Sequence, residues 1–161
     1  MIKPVYAFID SQNVNLSIRS QGWKLDFARF RKYLADKYKV QRAFLFMGMI
    51  SGYENLYKYL TDSGYEIIFK PTVRERSGEV KGNVDAELVL HCAKIQYDNY
   101  DKAIIISGDG DFYCLIEYLE QEDKLRSLIV PNRYKYSVLF KEFRDKIYYM
   151  NYLESKVGAK K

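Results

Sequence analysis

The residues in this sequence that are best suited to chemistry are aspartates that follow short apolar runs. Asp10 ends the run "VYAFID", and Asp109 and Asp111 come directly after "AIIISG", with a single glycine between them. Asp85 opens "DAELVLHCAKIQY", which has the apolar periodicity of a helix. Carboxylates held close together repel each other and raise their own pKa values unless a cation lies between them. These four acids therefore predict a cation site, provided that the fold brings them together.

The alternation of strand-like and helix-like segments indicates such a fold. The strand-like segments are "VYAFID", "VQRAFLFMGM", "YEIIFKP", "KAIIIS" and "LRSLIV", with "KIYYMNY" as a short sixth. Nearly all-apolar strands are typical of a parallel sheet that helices cover on both faces. The sequence therefore predicts an α/β fold, a three-layer α/β/α sandwich with a mostly parallel central sheet. We assume a Rossmann-like strand order of about 3-2-1-4-5, with one domain over residues 1–153 and a flexible C-terminal tail over residues 154–161.

All four acids fall at the same edge of this predicted sheet. In an open parallel sheet, the carboxyl ends of the strands and the N-termini of the helices that follow them meet at one edge, where ligands bind. The assumed strand order makes Asp10 and Asp109 neighbours across this edge. The sequence has one histidine, His91, and two cysteines, in no zinc-site spacing. Hard oxygen ligands favour Mg²⁺ or Mn²⁺, which activate water and neutralise charge on a phosphodiester, so we predict phosphodiester hydrolysis.

A purely structural role is the alternative for each acid taken alone. Asp is a favoured N-cap residue at a strand-to-helix junction, so Asp85 and Asp111 can also be explained as helix caps. The sequence has no P-loop, and no G-x-G-x-x-G follows the first strand, so neither phosphate-binding motif is predicted. The convergence of four acids at one edge favours a site over four independent caps.

Three motifs, "FIDSQNVN", "KGNVDAELVLH" and "IISGDGDF", occur in this order. With them the sequence resembles the NYN domain family, the LabA-like branch of the PIN-like nuclease superfamily, from Tyr6 to about Tyr152. The resemblance implies a PIN-like fold and a Mg²⁺- or Mn²⁺-dependent ribonuclease, for which we expect endonucleolytic cutting. It also implies that Asp10, Asp85, Asp109 and Asp111 bind metal and act in catalysis with Asn13, and that Ser107 supports the site.

His91 marks a departure from the family pattern, because many relatives place another acid at that point of the helix. We interpret His91 as a half-buried helix residue rather than as a metal ligand. The absence of this acid leaves open a second function, an RNA-binding or regulatory adaptor in which the PIN-like site is not catalytic. A DNA nuclease with the same chemistry is a third alternative.

Basic residues flank the predicted site, and the net charge of +5 permits an anionic partner. They lie in a long polar loop before Asp85, in "PNRYKYS" after the fifth strand, and between the first strand and its helix. Cationic loops suit the phosphates of a polyanion, and an exposed tyrosine can stack on an unpaired base. With the resemblance, these features predict RNA as the partner. The residues predicted to bind it are Lys70, Arg74, Arg76, Lys81, Arg19, Arg133, Lys135 and Tyr134.

Features that the sequence lacks predict the compartment of the protein and its relation to membranes. No stretch approaches the roughly 20 apolar residues that cross a membrane, so no membrane partner is expected. The two cysteines form no disulfide framework, which fits a reducing compartment, and we expect a cytoplasmic protein. The many tyrosines leave a homodimer open, since exposed and buried aromatic residues cannot be separated from the sequence.

Overall fold

A computed structural model describes residues 4–74, 80–81 and 83–160. Its centre is a six-stranded sheet in which every neighbouring pair of strands is parallel. The strands are β1 (Val5–Asp10), β2 (Val40–Met49), β3 (Tyr65–Pro71), β4 (Lys102–Ile106), β5 (Leu125–Val130) and β6 (Ile147–Tyr149). Their order is β3-β2-β1-β4-β5-β6. The predicted order 3-2-1-4-5 is confirmed, and the short sixth strand extends it.

Helices connect the strands. They are α1 (Ser11–Arg19), α2 (Phe27–Tyr38), α3 (Glu54–Asp62), α4 (Asp85–Leu90), α5 (Tyr113–Gln121) and α6 (Glu154–Val157). The helix that begins at Asp85 continues as one π-helical stretch over His91–Ile95, and the last predicted helix is a 3₁₀ segment, Val138–Lys146. A short antiparallel pair, Val73–Arg74 with Val80–Lys81, follows β3. In the part of the chain that the structure describes, no helix has the length and apolar character needed to cross a membrane.

The helix that follows β1 was missed in the sequence. We treated the chain between β1 and α2 as a loop, but α1 begins directly after β1. Its N-terminus is capped by Asp10, whose side chain accepts a hydrogen bond from the backbone N–H of Asn13. The apolar face is narrow, with Val14 and Ile18 as its buried apolar residues, and this gives a weak helical pattern.

The two faces of the sheet carry separate cores because side chains alternate along each strand. On β1, Tyr6 and Phe8 face the core beneath α4 and α5, whereas Ala7 and Ile9 face the core beneath α1, α2 and α3. Both cores contain fully buried aromatic residues, and β4 contributes alternate isoleucines to each. The three-layer sandwich is therefore confirmed.

Residues 154–161 were expected to form a flexible tail, and this expectation is wrong for residues 154–159. Val157 lies in α6 and is fully buried in the core beneath α2. Its carbonyl accepts a hydrogen bond from the N–H of Asp26 at 2.8 Å, and the N–H of Ala159 donates to the carbonyl of Lys24 at 2.7 Å. One apolar side chain in a polar segment, "ESKVGAKK", was enough to anchor it, because the pocket that receives Val157 exists only in the tertiary structure.

Replacing Val157 with alanine removes two buried methyl groups and leaves a cavity beneath α2. We expect Val157→Ala to lower the free energy of unfolding by about 2 kcal/mol, measured by urea denaturation. Lys156→Ala, an exposed residue of the same helix, is the matched control and should change it by less than about 0.5 kcal/mol. Equal stability of Val157→Ala and wild type would contradict the packing of this segment.

Candidate metal centre

Asp10, at the carboxyl end of β1, is the most buried acid of the site. Only 5% of its surface is exposed. Its Oδ1 accepts a hydrogen bond from the N–H of Asn13, and its Oδ2 accepts one from the Ser107 hydroxyl, both at 3.3 Å. Burial raises the pKa of Asp10, as does the negative charge of Asp109, while the two hydrogen bonds oppose the shift. The fold therefore holds this carboxylate in a fixed position, although burial removes water from its charged form and so destabilises that form.

Side chains from α1 and from the end of β4 hold the turn that carries Asp109. The parallel register places Ile9 beside Ile106, so Asp10 and Ser107 emerge next to each other. The Ser107 hydroxyl also accepts from the N–H of Asp109 at 3.1 Å, and Asn13 Oδ1 accepts from the N–H of Gly108 at 2.9 Å. Asn13 and Ser107 thus join the ends of the two strands by hydrogen bonds.

Asp85 approaches from a third part of the chain, at the first residue of α4. Its N–H donates to Asn83 Oδ1 at 2.8 Å, a local turn that orients the start of the helix. Burial, the charge of Asp109 and a hydrogen bond with Asp111 raise the pKa of Asp85 to about 7. The sequence reasoning overlooked Asn83, although an Asn two residues before a helix-opening Asp is a recognisable turn signal.

Asp10, Asp85 and Asp109 each place one carboxylate oxygen within 4.8 Å of the others. Among the side chains that the structure describes, which exclude those of Arg74 and Lys81, no lysine or arginine forms an ion pair with any of the three. Three hard oxygen donors held this close together fit a divalent metal ion such as Mg²⁺ or Mn²⁺. The fourth predicted ligand, Asp111, is exposed and is not part of this group; it contacts the group through Asp85.

The sequence profile of the NYN domain matches residues 4–150, which is most of the chain. The chain belongs to the NYN domain family. It is 28% identical over 123 residues to the low amplitude and bright protein LabA of Synechococcus elongatus, an alignment that covers 70% of this chain and 65% of LabA. The chain thus spans somewhat less than two thirds of that relative's length.

The fold has a solved counterpart. A protein of unknown function from Vibrio parahaemolyticus superposes with a TM-score of 0.77 at 23% sequence identity, over 98% of this chain and 96% of that protein. At this identity the likeness supports the fold alone, an α/β architecture consistent with the PIN-like folds. Membership of the NYN family and the convergence of the three acids together fit a nuclease.

A cleft of about 540 Å³ opens over the acids of this NYN domain, and Gln12, Leu16 and Asn83 contribute to its walls. Lys70 lies beside it, with its ammonium group donating to the carbonyl of Asn83 and 4.0 Å from Glu87 Oε1. Of the other residues predicted in the long loop, Arg74 and Lys81 are described by their backbone alone, in the short antiparallel pair. Arg76 lies outside the described residues.

The loop after β5 packs against the turn that carries Asp109. The N–H of Ser137 donates to the carbonyl of Gly108 at 3.2 Å. In this loop Lys135 is exposed and Tyr134 is 78% exposed, as residues available for a partner must be. Arg133 already has contacts within the NYN domain, because its guanidinium donates to the Tyr152 hydroxyl at 2.7 Å.

His91 is not one of the acid group's neighbours within 4.8 Å in the described chain. Its ring packs edge-on against Phe46, with 5.5 Å between ring centroids, and burial lowers its pKa. A packed imidazole at the helix surface that faces Phe46 fits our interpretation of His91 as a helix residue of the NYN domain.

Gly110 has no room for a side chain. A Cβ added there would lie 2.5 Å from Ser137 Oγ and 2.9 Å from Ser137 Cβ. We expect Gly110→Ala to destabilise the protein by about 1–3 kcal/mol in urea denaturation. Adding Ser137→Gly removes both clashing atoms, so the double variant should be less destabilised than the sum of the two single changes. If the destabilisation of the double variant equals the sum of the two single changes, the close approach of Ser137 to residue 110 is contradicted.

The pKa of Asp85 predicts a pH-dependent stability in the absence of divalent metal. Because the folded-state pKa is raised from 3.8 to about 7, the folded protein holds a proton that the unfolded chain releases in that window. The stability of wild type relative to Asp85→Asn should therefore fall as the pH rises from about 4 to about 7, and the difference should then stay constant.

This prediction is checked by urea denaturation in EDTA at pH 5 and pH 8. The gain in stability of Asp85→Asn over wild type should be larger at pH 8. Asp36→Asn, which changes an exposed acid outside the site, is the control and should show no such increase. If the gain in stability of Asp85→Asn over wild type is larger at pH 5 than at pH 8, the raised pKa of Asp85 is contradicted.

Proposed function

We propose that this NYN domain is a Mg²⁺- or Mn²⁺-dependent ribonuclease that cuts RNA endonucleolytically. The observation that supports it best is the convergence of Asp10, Asp85 and Asp109 from three separate segments, with no ion pair to any side chain that the structure describes. Buried like charges destabilise a fold, so an arrangement of this kind is explained more economically by a bound cation than by stability. The family supports a nuclease as the class of enzyme.

The roles of the site residues follow from their contacts. Asp10, Asp85 and Asp109 would hold the cation, which when bound supplies neutralisation of phosphate charge and a water of lowered pKa. Ser107 and Asn13 hold Asp10 and the Asp109 turn in register, since each bonds to both strand ends. Their hydrogen bonds restrict the carboxylates to the geometry of the site in the absence of substrate.

Asp111 has a different role from the one predicted from the sequence motif alone. Its exposed carboxylate lies at the rim and shares a hydrogen bond with Asp85. We propose that Asp111 positions Asp85 and holds water near the cleft. The other three acids would bind the metal directly. Asp111→Asn should therefore retain more activity than Asp109→Asn.

The substrate assignment rests on the cations and aromatic residues around the cleft. Lys70 is beside Asn83, and Lys135 and Tyr134 extend from the loop that packs on the Gly108 turn. Phosphate contacts from lysine supply affinity for a polyanion, and an exposed tyrosine can stack on an unpaired base. We also propose RNA contacts for three basic residues that precede Asp85 in the chain, namely Arg74, Arg76 and Lys81.

The test is cleavage of RNA by purified protein with Mg²⁺, Mn²⁺ or EDTA. We expect metal-dependent cutting that falls at least about 100-fold in Asp109→Asn, because residues that would bind the metal directly matter at least as much as the residues that orient them. Asp36→Asn, the exposed acid outside the site, is the matched control and should cut like wild type. A circular RNA distinguishes endonucleolytic from exonucleolytic cutting, and DNA of the same sequence tests the preference for RNA.

A thermal-shift measurement separates failure of metal binding from failure of catalysis. Mn²⁺ should raise the melting temperature of wild type and of Asp36→Asn but not that of Asp109→Asn. If RNA binds equally to wild type and Asp109→Asn and neither cuts under any metal, the non-catalytic adaptor replaces the ribonuclease. If DNA is cut as fast as RNA, the protein is a nuclease without sugar preference.

A further inference from the structure

A second cleft, which we call the side groove, adjoins the cleft over the acids. It has a volume of about 690 Å³ and lies between α1, the start of α2, α3 and the end of β2. Gln12, Leu16 and Val84 line both clefts, so the two lie next to each other. The volume is in the range of pockets that receive small ligands or single nucleotides.

The walls of the side groove are mostly aliphatic and aromatic. Phe46 and Leu60 are buried at its base, whereas Leu16, Tyr53 and Leu56 are 57%, 51% and 44% exposed. Single exposed apolar residues are ordinary, but a contiguous apolar concavity beside a charged site is characteristic of ligand binding.

Hydrogen bonds hold the tyrosines of the side groove in place. The Tyr57 hydroxyl accepts from the N–H of Ile50 at 2.9 Å and donates to the Ile50 carbonyl at 3.2 Å. The Tyr59 hydroxyl donates to Asp26 Oδ1 at 3.1 Å. A partner that enters the groove therefore meets preorganised walls, which lowers the entropic cost of binding.

Polar and cationic groups lie around this apolar surface. The side-chain amides of Gln12 and Asn15 make no hydrogen bond to other residues that the structure describes. Arg19 and Lys24 are exposed, and within the described residues no acid pairs with either. The acid at the groove, Asp26, already accepts from the N–H of Arg29 and from Tyr59. The rim thus offers unpaired positive charge and free amide groups.

We propose that the side groove receives the base of an unpaired nucleotide next to the scissile phosphate, so that the substrate of this NYN domain is single-stranded RNA. The proposal rests on the proposed ribonuclease function. The apolar walls match the flat faces of a base, the amides of Gln12 and Asn15 can bond to its edge, and Arg19 and Lys24 can contact the adjoining phosphates. A base in a duplex is stacked and paired, and it cannot leave the helix without losing those interactions.

Binding measurements in EDTA test the proposal independently of cleavage. Fluorescence anisotropy of wild-type protein compares one unstructured single-stranded RNA with a blunt duplex of the same sequence. We expect the single strand to bind at least about tenfold more tightly, the order of the stacking effect of one base. Equal affinity for the duplex would overturn the proposal.

Leu56→Glu places a charge in the side groove at a position that is already partly exposed. We expect it to weaken single-strand binding about tenfold or more, with a circular dichroism spectrum like that of wild type. Ile95→Glu is the matched control, since Ile95 is 49% exposed and does not line the groove, and it should change binding less than about twofold. Tyr53→Ala is a milder second variant for the case that Leu56→Glu fails to fold. Equal losses in groove and control variants would overturn the proposal.

A single abasic ribose moved along the RNA locates the base in the groove. At one position it should weaken binding to wild type about tenfold, and at the same position its effect on Leu56→Glu should be less than about twofold. If no position in the RNA is sensitive in wild type, the proposal is overturned.

The salt dependence of binding tests the phosphate contacts of the groove. Arg19→Ala should reduce the dependence of log Kd on log salt by about one unit. Lys32→Ala, which changes an exposed lysine on α2 outside the groove, should not.

The two proposals fail in different ways. If wild type binds single strands through the side groove but cuts no RNA with any metal, the ribonuclease falls and the groove stands as a binding site for single strands. If the protein cuts RNA with metal but neither the abasic position nor Leu56→Glu affects binding, the ribonuclease stands and the groove proposal falls.

Discussion

The arrangement of this protein depends on holding three carboxylates close together against their mutual repulsion. Asp10, Asp85 and Asp109 converge within 4.8 Å, and burial adds a desolvation cost to that repulsion for Asp10 and Asp85. Neutral groups hold the site together: the Ser107 hydroxyl bonds to Asp10 and to the N–H of Asp109, while Asn13 bonds to Asp10 through its backbone N–H and to Gly108 through its side-chain Oδ1. The rest of the sheet is a rigid support for this edge, because fully buried isoleucines and phenylalanines pack on both of its faces.

The parallel sheet explains why residues so distant in sequence meet. β1 and β4 are 97 residues apart at the Asp10–Ser107 contact, yet they are neighbours in the sheet with their carboxyl ends on the same side. The strand order reverses direction at this pair, and the gap between the diverging connections is where open α/β sheets bind ligands. Asp85 completes the group because α4 begins at the same edge.

The negative centre and the apolar side groove complement each other chemically. A nucleotide has charged phosphates, which need cations, and an apolar base, which needs a wall of aromatic or aliphatic side chains. The side groove has the apolar wall and the cations Arg19 and Lys24, and Leu16 and Gln12 line both this groove and the cleft over the acids, where a bound metal ion would supply further positive charge. The hydrogen-bonded tyrosines of the groove and the hydrogen-bonded turn at Asp109 are both set before any partner arrives.

Much of this architecture follows from the sequence alone. Apolar runs ended by Asp10 and Asp109 locate two strands and their edge, and the alternation of segments predicts the layers, because burial on both faces leaves a readable pattern. Other features depend on tertiary structure. Asp111, which shares a motif with Asp109, lies outside the group of three, whereas Val157 is fully buried in a segment that looks polar. The side groove is lined by residues from α1, α2, α3 and β2, and its shape arises from how these elements pack. Local patterns report which residues face a core, but distances between remote side chains are decided by register and packing, which no local pattern contains.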